Sequence, residues 1–369
     1  MFMRTLLGAW TVMHLYVFWR LTSIPAIVRR VPRTFLVGAA ILLWALWLAP
    51  GFLDDRGYQT AAGYFERLEM NWLGILFLLF VCLLLVDLVT AFGLLFRPLV
   101  PSLRLVGLLA GMALAAAALV QGLRPPVVHD YEVRLRGLPA ENDGLTIAVL
   151  SDLHVGRLLD GQWLAARVEQ VRRLHPDLVI MLGDTFEGDS DSERQESMKA
   201  TLRGLAARYG VWAVTGNHES HGGRDAGVRF LEEAGVRVLR NEWSLALPGL
   251  ALGGVDDGGH REPSAADSDR FTRVLASRPP GTASVLLSHR PQMVEETAEA
   301  GVGLMLSGHT HGGQIWPFSY IVDYINPYFV GRYQVANMPL IVSRGTGTWG
   351  PRMRLWARGE ILRITLQAA

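Results

Sequence analysis

The stretch GHTHGGQ, Gly308 to Gln314, sets two histidines one residue apart, with a glycine before them and a glycine pair after. It is too polar for a core and too glycine-rich for a helix interior. Imidazoles so placed suit a metal ion, and further donors stand upstream in a regular way. AVLSDLH ends in Asp152 and His154, VIMLGD in Asp184, VWAVTGNHE in Asn217 and His218, SVLLSHR in His289, and LMLSGHTH in His309 and His311. Each is a short apolar run of strand length that stops at a donor. In α/β sheets, ligands gather at the carboxyl ends of strands. A lone histidine there is more often structural. Five of the chain's ten histidines at such positions, with two aspartates and an asparagine, are poorly explained by chance.

The donor types narrow the chemistry. The only cysteine, Cys82, sits in an apolar run, so an intrachain disulfide and a cysteine-based metal site are excluded. Mixed imidazole and carboxylate ligation suits Mn, Fe, Zn or Co, whereas Ca and Mg prefer oxygen alone. Asp152, His154, Asp184, Asn217, His289, His309 and His311 are too many for one ion, since a catalytic zinc takes about three protein ligands. They suit two divalent ions, with Mn, Fe or Zn favoured, that share a carboxylate. Two ions about 3.5–4 Å apart clamp the attacking and leaving oxygens of a phosphoryl transfer. The expected reaction is phosphoester hydrolysis by in-line attack of metal-bound hydroxide. In an extended loop, residues i and i+2 point the same way, so His309 and His311 are expected to straddle the ion pair.

DLH, GD, GNHE, SH and GHTH in this order resemble the calcineurin-like metallophosphoesterases, over Leu145 to Ile364. SGHTHGGQIWP and SRGTGTWGPRMRLWARGEI resemble more specifically a subgroup of bacterial phosphodiesterases with transmembrane or exported N-termini. The resemblance implies a two-sheet sandwich flanked by helices. It also implies two adjacent sites: Asp152, His154 and His311 on the first ion, Asn217, His289 and His309 on the second, and Asp184 bridging. His218 matches the family's catalytic histidine. Glu187 occupies the position of its acidic partner, where aspartate is frequent, and Glu219 is the other candidate. Gly183, Gly216 and Gly308 are expected to permit close approach at the strand ends, and Gly312 and Gly313 to leave room for substrate.

The elements that must position these residues fall in two parts. Hydropathy is concentrated before residue 124, where four apolar segments lie at about 5–27, 34–53, 72–96 and 103–123. A spanning helix needs about 20 apolar residues, so residues 1–124 are expected to form an all-α transmembrane domain of about four helices. Arg29, Arg30 and Arg33 in one loop, and Arg97 and Arg104 in another, are expected to keep those loops in the cytoplasm, with both termini and everything after residue 124 outside. Asp87, inside the third segment, is expected to pair with Arg20 or Arg97 rather than to relay protons. Residues 125–143 are expected to be a linker. From 144 to 369, strand-like runs alternate with helix-like segments at about 161–174, 191–208, 224–234, 267–277 and 291–300, the pattern of an α/β domain.

Substrate contacts are thinly marked. Arg290 follows a donor and Arg344 follows a strand, and guanidinium fits phosphate. IWPFSYIVDYINPYFV, 315–330, is aromatic. Such a run usually packs in a core; the sharper reading is a lip that dips into the bilayer to receive a lipid. Lys and Arg total 35 against 34 Asp and Glu, so nothing points to nucleic acid. The reading is a membrane-anchored metallophosphoesterase of an envelope phosphodiester. The competing readings are a cytoplasm-facing nucleotide phosphodiesterase and a membrane sensor whose phosphoesterase-like domain only binds ligand.

Overall fold

The computed structural model describes residues 2–188, 191–221, 224–259 and 264–369. The chain divides into two units, Met1–Leu123 with Gly350–Trp356, and Arg124–Trp349 with Ala357–Ala369.

The first unit is helical: α1 (Phe2–Leu21), α2 (Pro25–Val28), α3 (Arg33–Ala45), α4 (Ala49–Asp54), α5 (Gln59–Val89) and α6 (Val100–Leu123). Three stretches among the described residues are long and apolar enough to cross a membrane: Arg33–Asp54, Gln59–Val89 and Val100–Leu123. The expected first span is helical as α1, but with Arg4, His14 and Arg20 in its length it is not one of them. The third begins at Gln59 rather than 72 and stops at Val89, where a turn through Phe92 (φ +56°) reverses the chain into α6. α5 and α6 approach closely because Gly107 and Gly111 present no side chain there. A Cβ on Gly111 would meet Leu79 Cα at 3.1 Å and Leu78 O at 3.3 Å. Small residues one helical turn apart are how spanning helices pack without a hydrophobic drive. Trp10, Val17, Leu76 and Leu83 fill the unit's interior. Segment Gly350–Trp356 also belongs to this unit: the Arg354 amide donates to Ala118 O (2.9 Å) and the Arg352 amide to Asn71 Oδ1 (3.0 Å).

The second unit runs β1 (Val127–Leu135), β2 (Leu145–Leu150), α7 (Gly161–Arg172), β3 (Leu178–Met181), α8 (Ser192–Leu202), β4 (Val211–Ala213), α9 (Asn217–His221), α10 (Arg224–Glu233), β5 (Arg237–Val238), β6 (Glu242–Leu247), β7 (Leu250–Val255), α11 (Ala265–Ala276), β8 (Ala283–Ser288), α12 (Val294–Glu299), β9 (Leu304–Ser307), α13 (Phe318–Ile325), β10 (Gly331–Val335), β11 (Met338–Val342) and β12 (Glu360–Ala368). Two six-stranded sheets result, ordered β1-β12-β2-β3-β4-β5 and β10-β11-β9-β8-β7-β6. β2 to β5 run parallel in the first, and β7, β8, β9 and β11 run parallel in the second. Ile147, Ile180, Leu252, Val285, Leu306 and Ile364 fill the space between the sheets. The outer face of the first sheet, Leu150 and Met181, packs on Leu164, Met198 and Leu231 from the helices. That of the second, Leu286 and Met305, packs on Phe271, Val274 and Val294. Strands covered on both faces read as unbroken apolar runs, which is why their ends were visible in sequence.

One expectation needs correction. The supposed linker 125–143 carries β1, paired in parallel with β12 from Val127 opposite Glu360 to Leu135 opposite Ala368. As an edge strand it is half exposed, and it reads as polar–apolar alternation from Tyr131 to Leu135 rather than as the unbroken apolar run of the central strands.

Candidate metal centre

The parallel strands deliver their carboxyl ends to one place. Ligand atoms of Asp152, His154 and His311 lie within 4.8 Å of one another, and so do those of Asp184, His289 and His309. Asp184 stands between the groups: its Oδ2 is 3.1 Å from His289 Nε2 and 3.9 Å from both His154 Nε2 and His218 Nε2. Asn217 opens α9 directly after Gly216, where an added Cβ would collide with Asp184 Oδ1. A Cβ on Gly308 would collide with Ser151 Oγ, so both glycines are close approaches between donor-bearing turns.

The donors fit a pair of cations. His154 Nε2 faces His311 Nε2 at 3.0 Å, and His289 Nε2 faces His309 Nδ1 at 3.2 Å. Imidazole nitrogens turned on each other and on carboxylates converge on a point that a cation would satisfy. The opposite ring edges are held as metal-binding histidines usually are, by a carbonyl or a carboxylate. His289 Nδ1 donates to Leu182 O (2.7 Å), which leaves the Nε2 lone pair for an ion. His154 Nδ1 is held by Glu187 Oε1.

The backbone is unusual here. Asp152, His154, Asp184, His309 and His311 all have positive φ, between +47° and +73°. Side chains avoid this region, and strain of this kind clusters at functional sites. It also corrects the picture of the 308–314 loop. His309 and His311 are left-handed rather than extended, and they turn into different groups. Gly312 and Gly313 are buried: a Cβ on the first would press on Arg344 Cβ at 3.1 Å, and one on the second would collide with Ser319. They give packing, not room for substrate.

Two acids surround the donors. Glu187 reaches two rings at once, through Oε1 to His154 Nδ1 and through Oε2 to His218 Nδ1 (2.9 Å). Burial would raise its pKa, yet the two imidazoles hold it down at about 2. Burial likewise disfavours a charged His218, but Glu187 and Asp184 lift it to about 9. Asp184 is held well below the usual carboxylate range, His289 and His154 overcoming its burial. Glu219 does not face His218. Its Oε2 accepts the amides of Asp184 (3.0 Å) and Gly216 (2.7 Å), and its Oε1 those of Thr185 (2.6 Å) and Phe186 (3.1 Å). One buried carboxylate thus binds the Asp184 turn to the Asn217 turn. Sequence inspection placed Glu219 near the site but not in this role. Glu219→Ala would deprive four buried N–H groups of their acceptor. At about 1–3 kcal/mol for each group left unsatisfied, a loss of about 3 kcal/mol or more is expected after relaxation. Chemical denaturation of the full chain would measure it, and Glu219→Gln should recover part.

The arginines are less available than expected. Arg290 is buried, with Nε and Nη2 both taken by Asp257 Oδ2 (2.7 Å) and Oδ1 (2.5 Å). Arg344, beside Gly312, has Nε 3.2 Å from Glu360 Oε2. The first is a buried ion pair behind His289, and the second borders the metal loop.

Comparison with known proteins agrees with the geometry. The profile described as Calcineurin-like phosphoesterase matches residues 145–313. The transmembrane protein with metallophosphoesterase domain of Bos taurus is 33% identical over 273 residues, covering 69% of this chain and 60% of that one. An uncharacterised metallophosphoesterase of Helicobacter pylori is 34% identical over 250 residues, covering 67% and 65% respectively. One of Aquifex aeolicus is 33% identical over 247 residues, covering 65% of this chain and 91% of that one. The chain spans about three-fifths of the length of the bovine relative. With its two-sheet fold, its strand-end donors and these relatives, the chain belongs to the calcineurin-like phosphoesterase family.

Proposed function

We propose that the protein is a membrane-bound two-metal phosphoesterase. The observation that carries this reading is the Asp184 carboxylate set between two groups of imidazoles. Asp152, His154 and His311 would hold one ion, Asn217, His289 and His309 the other, and Asp184 both. When bound, two such ions neutralise phosphoryl charge and activate water. His218, its ring held by Glu187 and its Nε2 edge beside Asp184, is placed to hydrogen-bond a phosphoryl oxygen or to pass an Nε2 proton to the leaving oxygen. Glu187 keeps its Nδ1 edge fixed. His218→Ala is expected to lower kcat about 10²–10⁴-fold on an aryl phosphodiester with metal content unchanged. Full-length protein with Mn that hydrolyses no aryl phosphodiester would overturn the assignment.

The favoured substrate is a phosphodiester of an amphiphilic, envelope-lipid kind. The ends of the aromatic run after His311 pack, with Ile315 buried and Tyr328 against the second sheet's outer cluster, but α13 between them has no buried residue, and Tyr324 is 91% and Tyr320 67% exposed. Tyr and apolar side chains at a helix surface suit a membrane interface. The arginine distribution among the helical loops supports a catalytic unit outside the cytoplasm, and a C-terminal reporter fusion that reads cytoplasmic would reverse that orientation.

A further inference from the structure

Trp349 stands beside His218, at the end of a loop whose Thr346 and Gly347 amides donate to Ser151 O (2.7 Å) and Asp152 O (3.0 Å). Its indole lies 6.0 Å from the His218 ring, centroid to centroid, at 67°. The residue is 41% exposed, so part of it meets solvent. Its backbone is gripped on both polar atoms by one side chain. Gln314 Nε2 donates to Trp349 O at 3.0 Å, and the Trp349 amide donates to Gln314 Oε1 at 3.0 Å. Such a reciprocal pair mimics a neighbouring strand.

Gln314 itself is constrained. It has φ +46°, and its amide donates to His311 O at 3.1 Å. A glutamine in the left-handed region is disfavoured, and an observed outlier of this kind points to a functional demand. The loop that contributes two histidines to the ion pair therefore also fixes Trp349. An exposed tryptophan is unremarkable alone. One that is fixed by the metal loop and set edge-on to the catalytic imidazole is placed to meet substrate.

We propose that Trp349, latched by Gln314, is a specificity-determining wall that stacks on a flat or apolar group carried by the phosphoester. The proposal rests on the phosphoesterase reading and adds the chemistry recognised next to the phosphate: an aromatic ring or an apolar chain rather than a small polar alcohol. Aromatic rings prefer offset or edge-on neighbours. His218 takes one edge-on position, and such a group would meet the exposed part of the residue.

Two non-hydrolysable anions separate the wall from the metals. Phenylphosphonate and methylphosphonate present the same head group and differ only in what the wall would touch. Titrated into Mn-loaded full-length protein, phenylphosphonate is expected to bind about tenfold more tightly than methylphosphonate. In Trp349→Ala the ratio should fall to about twofold, with the loss on phenylphosphonate. Trp349→Phe should keep most of it, and Gln314→Ala should lose an intermediate share. An unchanged ratio in Trp349→Ala, an equal fall for both ligands, or no phosphonate binding by the wild type would each overturn the wall. Turnover is read separately. Selective binding without hydrolysis of any phosphoester would sink the enzymatic reading and leave the wall standing, whereas hydrolysis without the selectivity would do the reverse.

Discussion

Asp184→Asn is expected to abolish the two-ion centre, with kcat/KM on an aryl phosphodiester falling at least about 10³-fold. That is about 4 kcal/mol of transition-state stabilisation. The size follows from position. Asp184 Oδ2 faces His289 at 3.1 Å and both His154 and His218 at 3.9 Å, and Oδ1 accepts the His218 amide at 2.8 Å. Asparagine keeps the shape but removes the negative charge. It also turns an NH₂ group towards imidazole nitrogens or towards the His218 amide, so either orientation sets donor against donor or forfeits the bridging oxygen. The charge matters doubly, because without it Asp152 would be the one carboxylate left among the donors proposed for two dications. Metal analysis supplies the sharper readout. Asp184→Asn should retain less than one ion per chain, while Asp152→Asn, confined to one group of donors, should retain about one. Two ions retained by Asp184→Asn would remove the bridging role, whatever the activity.

The contrast between those two aspartates shows what could be read from the sequence. Asp152, Asp184, His289 and His309 were legible because each ends a strand covered on both faces, and such strands are unbroken apolar runs that stop where the donors begin. The geometry that makes the donors converge was not legible. It depends on left-handed φ at Asp152, His154, Asp184, His309 and His311, which Asp and His adopt more readily than most side chains but do not enforce. The role of Glu219 was hidden for a related reason: its partners are four backbone amides, which have no sequence signature. β1 was missed because an edge strand need not be apolar. α13 was misjudged because aromatic content reports affinity for an apolar surrounding and does not say whether that surrounding is protein. The pairing of Arg290 with Asp257, 33 residues upstream, has no signature in the sequence either.

Asp87→Ala is expected to destabilise the helical unit by about 3–5 kcal/mol, the usual cost of breaking a buried ion pair from one side. Asp87 has no exposed surface and sits near the end of α5. Arg20, at the end of α1, and Arg104, near the start of α6, both converge on it, so one carboxylate ties three helices together. Arg104 Nε and Nη2 reach Oδ1 at 3.1 and 2.9 Å, Tyr16 OH donates to Oδ2 at 2.5 Å, and Arg104 Nη1 reaches Ser23 Oγ at 3.1 Å. The expected partner Arg20 is present. Arg97 is replaced by Arg104, because the turn through Phe92 folds α6 back alongside α5 and carries Arg104 to the carboxylate. Removing Asp87 would leave two guanidinium groups with little exposed surface and no counter-charge here. Replacing Arg20, Asp87 and Arg104 together by leucine should be far milder, since apolar substitutes for a whole buried charged group are often neutral or better. Denaturation of the full chain in detergent would measure both. A staple predicts this asymmetry, with phosphodiester turnover per folded molecule preserved in Asp87→Asn. A proton relay predicts the opposite: a fold that tolerates Asp87→Asn and a function that does not.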